Sequence, residues 1–121
     1  MAGRYVIKLA MISIDLYGFQ HADLEKARAI VEHALGIRLE LHDSLYYGEY
    51  YLGKLPDEHS VRLQLNIDPI HNPQTGPPEE LFAEPKFRDS PLLLYVSGSS
   101  VDVIRERLDG AVGISFLRRK S

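Results

Sequence analysis

The chain has 121 residues, of which 45% are hydrophobic and 26% are charged, and it contains no cysteine. This length and composition predict one globular domain spanning residues 1–121, and the lack of cysteine excludes a disulfide framework, a thiolate metal site and a thiol nucleophile. The net charge of −3 conceals an acidic centre, because residues 38–90 carry ten acidic side chains against five basic ones. Such a centre is either an ordinary solvated surface or a surface for a basic protein partner, and it argues against nucleic-acid binding, which needs lysine and arginine.

The predicted first strand, Tyr5 to Ile14, has apolar residues in both of its alternating sets. Two apolar faces are typical of a central strand that is covered on at least one side. The same stretch contains Lys8 and lacks a small-residue cleavage site after it. It therefore resembles neither a signal peptide nor a membrane span, and we expect a cytoplasmic protein. The stretch Asp15 to Ala22, which includes Gly18, is predicted to be a loop.

A helix is predicted directly after this loop. Asp23 is a favourable N-cap residue, and Gly36 is a favourable residue for ending a helix. Between them the apolar residues recur at helical spacing, which places them on one stripe of an amphipathic helix. They are Leu24, Ala27, Ile30, Val31, Ala34 and Leu35.

A three-stranded meander is predicted from Ile37 to Asp68. Apolar and polar residues alternate at both of its ends, and Ile37, Leu39 and Leu41 are expected on the buried face of its first strand. Four tyrosines between these ends flank Gly48, so at least one ring on each side of this glycine is expected to point away from the core. These rings either cover the sheet or form a contact surface. They are Tyr46, Tyr47, Tyr50 and Tyr51.

The proline-rich stretch Pro69 to Pro91 is predicted to be an irregular loop. The apolar run Leu92 to Val96 that follows it is predicted to be a second central strand. A second helix comes next, and Ser99 and Asp102 are expected to form a capping box at its start.

The chain ends with a predicted strand marked by Val112, Ile114 and Phe116, and with a basic tail from Arg118 to Lys120. The predicted order is therefore strand, helix, three strands, loop, strand, helix and strand. This order favours an α+β fold in which two helices pack on one face of a mainly antiparallel sheet.

No residue pattern in the chain indicates a reaction. The five histidines lack the spacing of a metal site, and His42 and His59 are expected to be surface groups that pair with neighbouring carboxylates. Glu40, Asp43 and Glu49 occupy nearby strand positions, but their exposed pattern favours a solvated acidic face over an acid and base pair. The sequence therefore favours binding over catalysis, with no metal and no other cofactor.

The stretch Tyr5 to Ile67 reads as a strand, a helix that ends in Ala-Leu-Gly at Gly36, and three strands. This arrangement is similar to one module of the glyoxalase, or vicinal oxygen chelate, family. The resemblance implies a small-molecule-binding or metal-dependent domain that acts as a dimer. Members of that family bind their metal through His and Glu on inner strands, where this chain has Lys8, Gln64 and Tyr95, so the resemblance extends to the fold and not to the metal site.

A second resemblance is to bacterial immunity proteins of polymorphic-toxin and contact-dependent growth inhibition systems. It rests on the segment DSLYYGEYYLG from Asp43 to Gly53, on the small acidic domain, and on the ending from PLLLYVSG to FLRRK. It implies a non-enzymatic, cofactor-free protein that binds and neutralises a cognate toxin, often a nuclease with a basic active site. The implied partner is a protein toxin domain with a basic surface, and neither a nucleic acid nor a membrane. A second copy of the chain is a further candidate partner.

The contact residues are expected on the polar, tyrosine-bearing side of the meander. Aromatic residues there would supply binding energy, and carboxylates would supply specificity and speed of association. The predicted contact residues are Glu40, Asp43, Tyr46, Tyr47, Glu49 and Tyr50.

Overall fold

A computed structural model of the chain describes residues 12–45, 47–68, 76 and 81–121. The order of helices and strands in this part matches the predicted order, and the fold is α+β. The elements are β1 (Ser13–Phe19), α1 (Leu24–Leu35), β2 (Glu40–Ser44), β3 (Gly48–Leu55), β4 (His59–Leu65), a 3-10 helix (Pro85–Phe87), β5 (Leu92–Gly98), α2 (Val101–Asp109) and β6 (Ile114–Lys120).

The strands form one sheet in the order β2-β3-β4-β5-β1-β6, and every described neighbouring pair is antiparallel. It follows that β1 and β2 run in the same direction, as do β5 and β6, so each helix connects two strands that are parallel but not adjacent. Both helices pack on the same side of the sheet, α1 over β4 and α2 over β5, β1 and β6. The predicted architecture is confirmed. We call the side with the helices the helix face and the other side the open face.

Helix α1 forms where the sequence predicts it. The Asp23 carboxylate accepts a hydrogen bond from the Lys26 N–H at 3.0 Å, and Gly36 ends the helix with a φ of 66° that a residue without a β-carbon adopts readily. The inward stripe of α1 packs with that of α2 against the helix face of the sheet. The buried residues of the two stripes are Ala27, Val31, Leu35, Val101, Ile104 and Leu108.

The first strand departs from its prediction. Asp15 to Phe19, predicted as loop, lie in β1 between β5 and β6, whereas most of the predicted strand Tyr5 to Ile14 falls outside the described residues. Aspartate is a residue type common in loops, but the fully buried carboxylate of Asp15 accepts hydrogen bonds of 2.6 and 2.9 Å from the guanidinium of Arg119. A long-range ion pair therefore overrides the local signal.

The predicted capping box at the start of α2 is wrong. The N-cap residue is Ser100, and its side chain makes no capping hydrogen bond. The Asp102 carboxylate instead accepts a hydrogen bond of 2.7 Å from Arg119, because a cation is a stronger partner than a backbone amide. The predicted basic tail is also wrong, since Arg118 and Arg119 belong to β6, while Val112 lies before that strand and is 87% exposed.

One buried side chain, Asn66, holds the end of the irregular stretch against the sheet. Its Nδ2 shares its two hydrogens among the carbonyls of Glu84, Phe87 and Ser90, at 3.3, 3.0 and 3.1 Å, and its Oδ1 accepts from the Glu84 N–H at 2.8 Å. This segment, residues 84–90, lies on the open face, where Glu84 also accepts a hydrogen bond of 2.6 Å from Arg118. The predicted loop Pro69 to Pro91 thus includes an ordered end, and the rest lies mostly outside the described residues.

His59 is not the carboxylate-paired surface group that its sequence neighbours suggest. The ring is 7% exposed, its Nδ1 donates to the Pro56 carbonyl at 2.9 Å, and its Nε2 accepts from the Ser100 N–H at 2.9 Å. A backbone amide can only donate, so the ring is neutral and carries its proton on Nδ1. His59 therefore joins the β3–β4 turn to the first residue before α2.

Candidate functional site

The β2–β3 hairpin lies at one edge of the sheet, and its side chains alternate between the two faces. His42 and Tyr50 form one cross-strand pair, on the open face, and Leu41 and Tyr51 form the next pair, on the helix face. Helix α1 packs over β4 and leaves this edge uncovered. Leu41 is therefore 56% exposed, which corrects the expectation that it is buried, whereas Leu39 is buried as predicted.

Tyr51 points to the helices and has a structural role. Its hydroxyl donates a hydrogen bond to the carboxylate of Glu25, and the guanidinium of Arg28 lies 5.6 Å from the centre of its ring. The hydrogen bond lowers the pKa of Glu25, with a further contribution from Arg28, and raises the pKa of Tyr51. Because Tyr51 is only 7% exposed, it connects α1 to the sheet and does not reach a partner.

Two other tyrosines form a stack on the open face. The ring of Tyr50 stacks on His42 with 5.4 Å between centroids, and Tyr47 meets Tyr50 edge to face at 5.3 Å. The guanidinium of Arg62 lies between Tyr47 and Tyr95, 4.1 and 4.4 Å from the two ring centroids. Each cation–π contact of this type is worth about 0.5–1 kcal/mol at an exposed site. The stack fixes the rings while Tyr47 stays 36% exposed.

The predicted carboxylates are all exposed, but they do not share one face. Glu40 is on the open face, where its Oε2 lies 3.8 Å from Nε2 of His42. Asp43 and Glu49 lie directly opposite each other in the hairpin and, by alternation, point away from the face that carries Tyr50. Neither of the two pairs with a cation from the described ranges. Like charges directly opposite in a sheet are destabilising, so the hairpin carries an acidic pair that the fold leaves uncompensated.

Apolar side chains are exposed beside this acidic pair. Leu41, Leu45 and Tyr47 are 56%, 74% and 36% exposed, and all three lie on or between β2 and β3. Exposed apolar side chains that a polar rim surrounds are typical of protein–protein interfaces. We call this region the hairpin surface, and it comprises Glu40, Leu41, Asp43, Leu45, Tyr47, Glu49 and Tyr50.

The structure places five of the six predicted contact residues on the hairpin surface, and the sixth, Tyr46, lies outside the described residues. It brings Tyr47 and Tyr50 together on the open face and puts Asp43 with Glu49 on the opposite side. The expected single acidic and aromatic face is thus two adjoining surfaces at one edge of the sheet.

Sequence reasoning missed the residues that hold the aromatic stack, His42, Arg62 and Tyr95. The register places Arg62 beside Tyr95, and His42 beside Tyr50. The only sequence signal was that His42 and Arg62 fall on the polar side of their alternating strands, which does not say what lies beside them.

No three His, Asp or Glu side chains within the described ranges form a group that could hold a metal ion. Neither described helix is long and apolar enough to cross a membrane. In comparisons with known proteins, no family model and no curated protein matches the chain.

Proposed function

We propose that this protein is a bacterial immunity protein, a non-enzymatic inhibitor that binds a cognate toxin domain through the hairpin surface. The supporting observation is the uncompensated pair of Asp43 and Glu49 beside the exposed side chains of Leu41, Leu45 and Tyr47. The acidic pair costs stability in the isolated chain, and exposed apolar side chains are typical of interaction sites. A basic and partly apolar protein surface would neutralise the carboxylates and cover the apolar groups in one binding step.

The stack on the open face adds binding energy to this surface. Tyr47 and Tyr50 are held by each other and by Arg62 and His42, so their rings lose little rotational freedom when a partner docks. Rigid tyrosines of this kind are favoured at interfaces because each buries a large ring and keeps a hydroxyl for a hydrogen bond. The hairpin surface thus combines preorganised rings with charges that attract a basic partner.

The functional test is neutralisation of a toxin domain encoded next to this chain. Each protein is expressed alone and together in a bacterial host, and growth and complex formation are measured. We expect growth to stop with the toxin alone and to recover with this chain, and the purified proteins to form a stable complex. Failure to protect and to bind would contradict the proposal, as would stoichiometric divalent metal in the purified chain, which the glyoxalase-like alternative requires.

Asp43→Lys should separate stability from binding. Lysine at this position would face Glu49, so the cross-strand repulsion becomes an attraction and the free energy of unfolding should rise by about 0.2–1 kcal/mol. Association with the toxin domain should slow by about tenfold, since steering by the acidic pair is lost. Chemical denaturation and stopped-flow binding measure the two effects.

The matched control for this variant is Glu106→Lys, which makes the same change of charge at an exposed carboxylate of α2. It should leave the association rate close to that of the original chain. If Asp43→Lys lowers stability, or if both variants slow association equally, the acidic pair has no specific role in binding.

A further inference from the structure

A cleft of about 800 Å³ lies between α1 and the chain that links α2 to β6. Its volume falls in the range of about 300–1,000 Å³ that is typical of small-molecule sites. On α1 the lining residues recur at helical spacing, so they form one face of that helix. The apolar part of the lining consists of Ala29, Ile30, Ala34, Ala111 and Val112.

The remaining side chains of the cleft, apart from glycine, are all basic. They are His21, Lys26, His33 and Arg107, and no carboxylate lines the cleft. Within the described part of the chain, neither Lys26 nor Arg107 forms an ion pair, and Arg107 makes only a 3.5 Å hydrogen bond to the carbonyl of Leu35. A protein with a net charge of −3 therefore leaves two cations uncompensated around one cleft.

His21 adds a hydrogen-bond donor without a partner. Its Nδ1 accepts the N–H of Asp23 at 3.2 Å, which places the proton of the neutral ring on Nε2. This Nε2 is shielded from solvent and has no hydrogen-bond partner among the described residues. Phe19 contacts the ring edge to face at 5.7 Å and helps to fix it. A shielded donor without an acceptor is costly, and an oxygen atom of a ligand would satisfy it.

We propose that the cleft binds a small organic carboxylate with an apolar body. Lys26 and Arg107 supply the positive charge for the carboxylate group, and these two residues and His21 supply hydrogen-bond donors. Ile30 and Val112 supply apolar surface for the body, and covering Val112 would shield a side chain that is 87% exposed. The cleft lies beside the helices and shares no residue with the hairpin surface, so this site is independent of toxin binding.

The test is a titration of the isotopically labelled full chain with hexanoate, followed by two-dimensional NMR and by calorimetry. We expect saturable shifts of the amides of Lys26, Gly110 and Gly113. Hexanol lacks the charge and inorganic phosphate lacks the apolar body, so both should bind at least about tenfold more weakly than hexanoate. Shifts that do not saturate, or equal binding of hexanoate and hexanol, would overturn the proposal.

Variants of the two cations provide the second arm of this test. Lys26→Gln and Arg107→Gln should each weaken hexanoate binding by about tenfold or more, since each removes a charged hydrogen bond. Both residues are exposed, so the fold should persist, which circular dichroism would check. Lys54→Gln, which removes an exposed cation from β3, is the control and should bind hexanoate normally. Unchanged binding in the two cleft variants, or equal loss in the control, would also overturn the proposal.

Discussion

Asn66→Ala should lower the free energy of unfolding by about 3 kcal/mol or more, because one buried amide that hydrogen-bonds four backbone groups of a half-buried segment is lost. The loss leaves the Glu84 amide and the Ser90 carbonyl without this partner, and each such group costs about 1–3 kcal/mol when it stays buried. The carbonyls of Glu84 and Phe87 keep the backbone hydrogen bonds that Phe87 and Ser90 donate to them. Chemical denaturation monitored by circular dichroism measures the change.

Hydrogen exchange shows whether the effect arises where the structure places it. In the original chain the amide of Glu84 donates to Oδ1 of Asn66 at 2.8 Å. In Asn66→Ala this amide should exchange faster, while the amides of β3 keep their protection relative to global unfolding. Gln64→Ala is the matched control, since Gln64 is similarly buried but its side chain makes one hydrogen bond among the described residues, at 2.8 Å, with Arg62. It should cost about 1 kcal/mol in hydrogen bonding. Equal losses in both variants would contradict the role of Asn66.

Arg119→Ala should lower the melting temperature by about 10 °C or more. The fully buried carboxylate of Asp15 would lose both of its hydrogen bonds to the guanidinium, and a buried charge without a partner is among the costliest defects in a protein. The same hydrogen bonds raise the pKa of Arg119, which therefore stays charged wherever the protein is folded.

Two further variants isolate this buried pair. Asp102→Asn removes the exposed ion pair that Arg119 makes with Asp102. It should change the melting temperature by only a few degrees, because the side chain of Asp102 is 79% exposed. Arg119→Lys keeps the charge but cannot make both hydrogen bonds, so its melting temperature should fall between those of the original chain and Arg119→Ala. A melting temperature of Arg119→Ala close to that of Asp102→Asn would show that Asp15 does not depend on the arginine.

The elements that the sequence predicts well are those with local signals. The ends of α1 follow from Asp23 and Gly36, whose effects act within one helical turn. The β2–β3–β4 meander follows from alternation, which fixes the face of each side chain once a strand forms. Both signals are complete within a few residues of the chain, so no knowledge of distant contacts is needed.

The predictions that fail depend on contacts between distant parts of the chain. Asp15 is a strand residue because of Arg119, which lies 104 positions away. Arg119 also binds Asp102 and so removes the predicted capping box. Leu41 falls on the apolar side of its alternating strand, as a core residue would, but it is exposed because α1 packs over β4 and does not cover β2. In each case the residue type is compatible with two environments, and the tertiary arrangement selects one.

The candidate site was predictable in outline and not in detail. Four tyrosines around Gly48 indicate an exposed aromatic surface, and Tyr47 and Tyr50 do lie on the open face. The opposition of Asp43 and Glu49 depends on the exact register of the hairpin, and a shift of one residue would change it. The position of Arg62 between the rings of Tyr47 and Tyr95 depends on β4, on β5 and on the β2–β3 turn at once.

The most direct test of the hairpin surface is the affinity of the purified chain for the toxin domain, measured before and after the double change Tyr47→Ala and Tyr50→Ala. Interface residues of this type typically cost at least about 2 kcal/mol each, so each single change should lower the affinity about thirtyfold and the double change should lower it by several hundredfold, on the order of 4 kcal/mol. Val103→Ala, which removes exposed apolar surface from α2, is the control and should bind as the original chain does. Equal affinity of the double variant and the original chain, with both folded, would contradict binding through this surface.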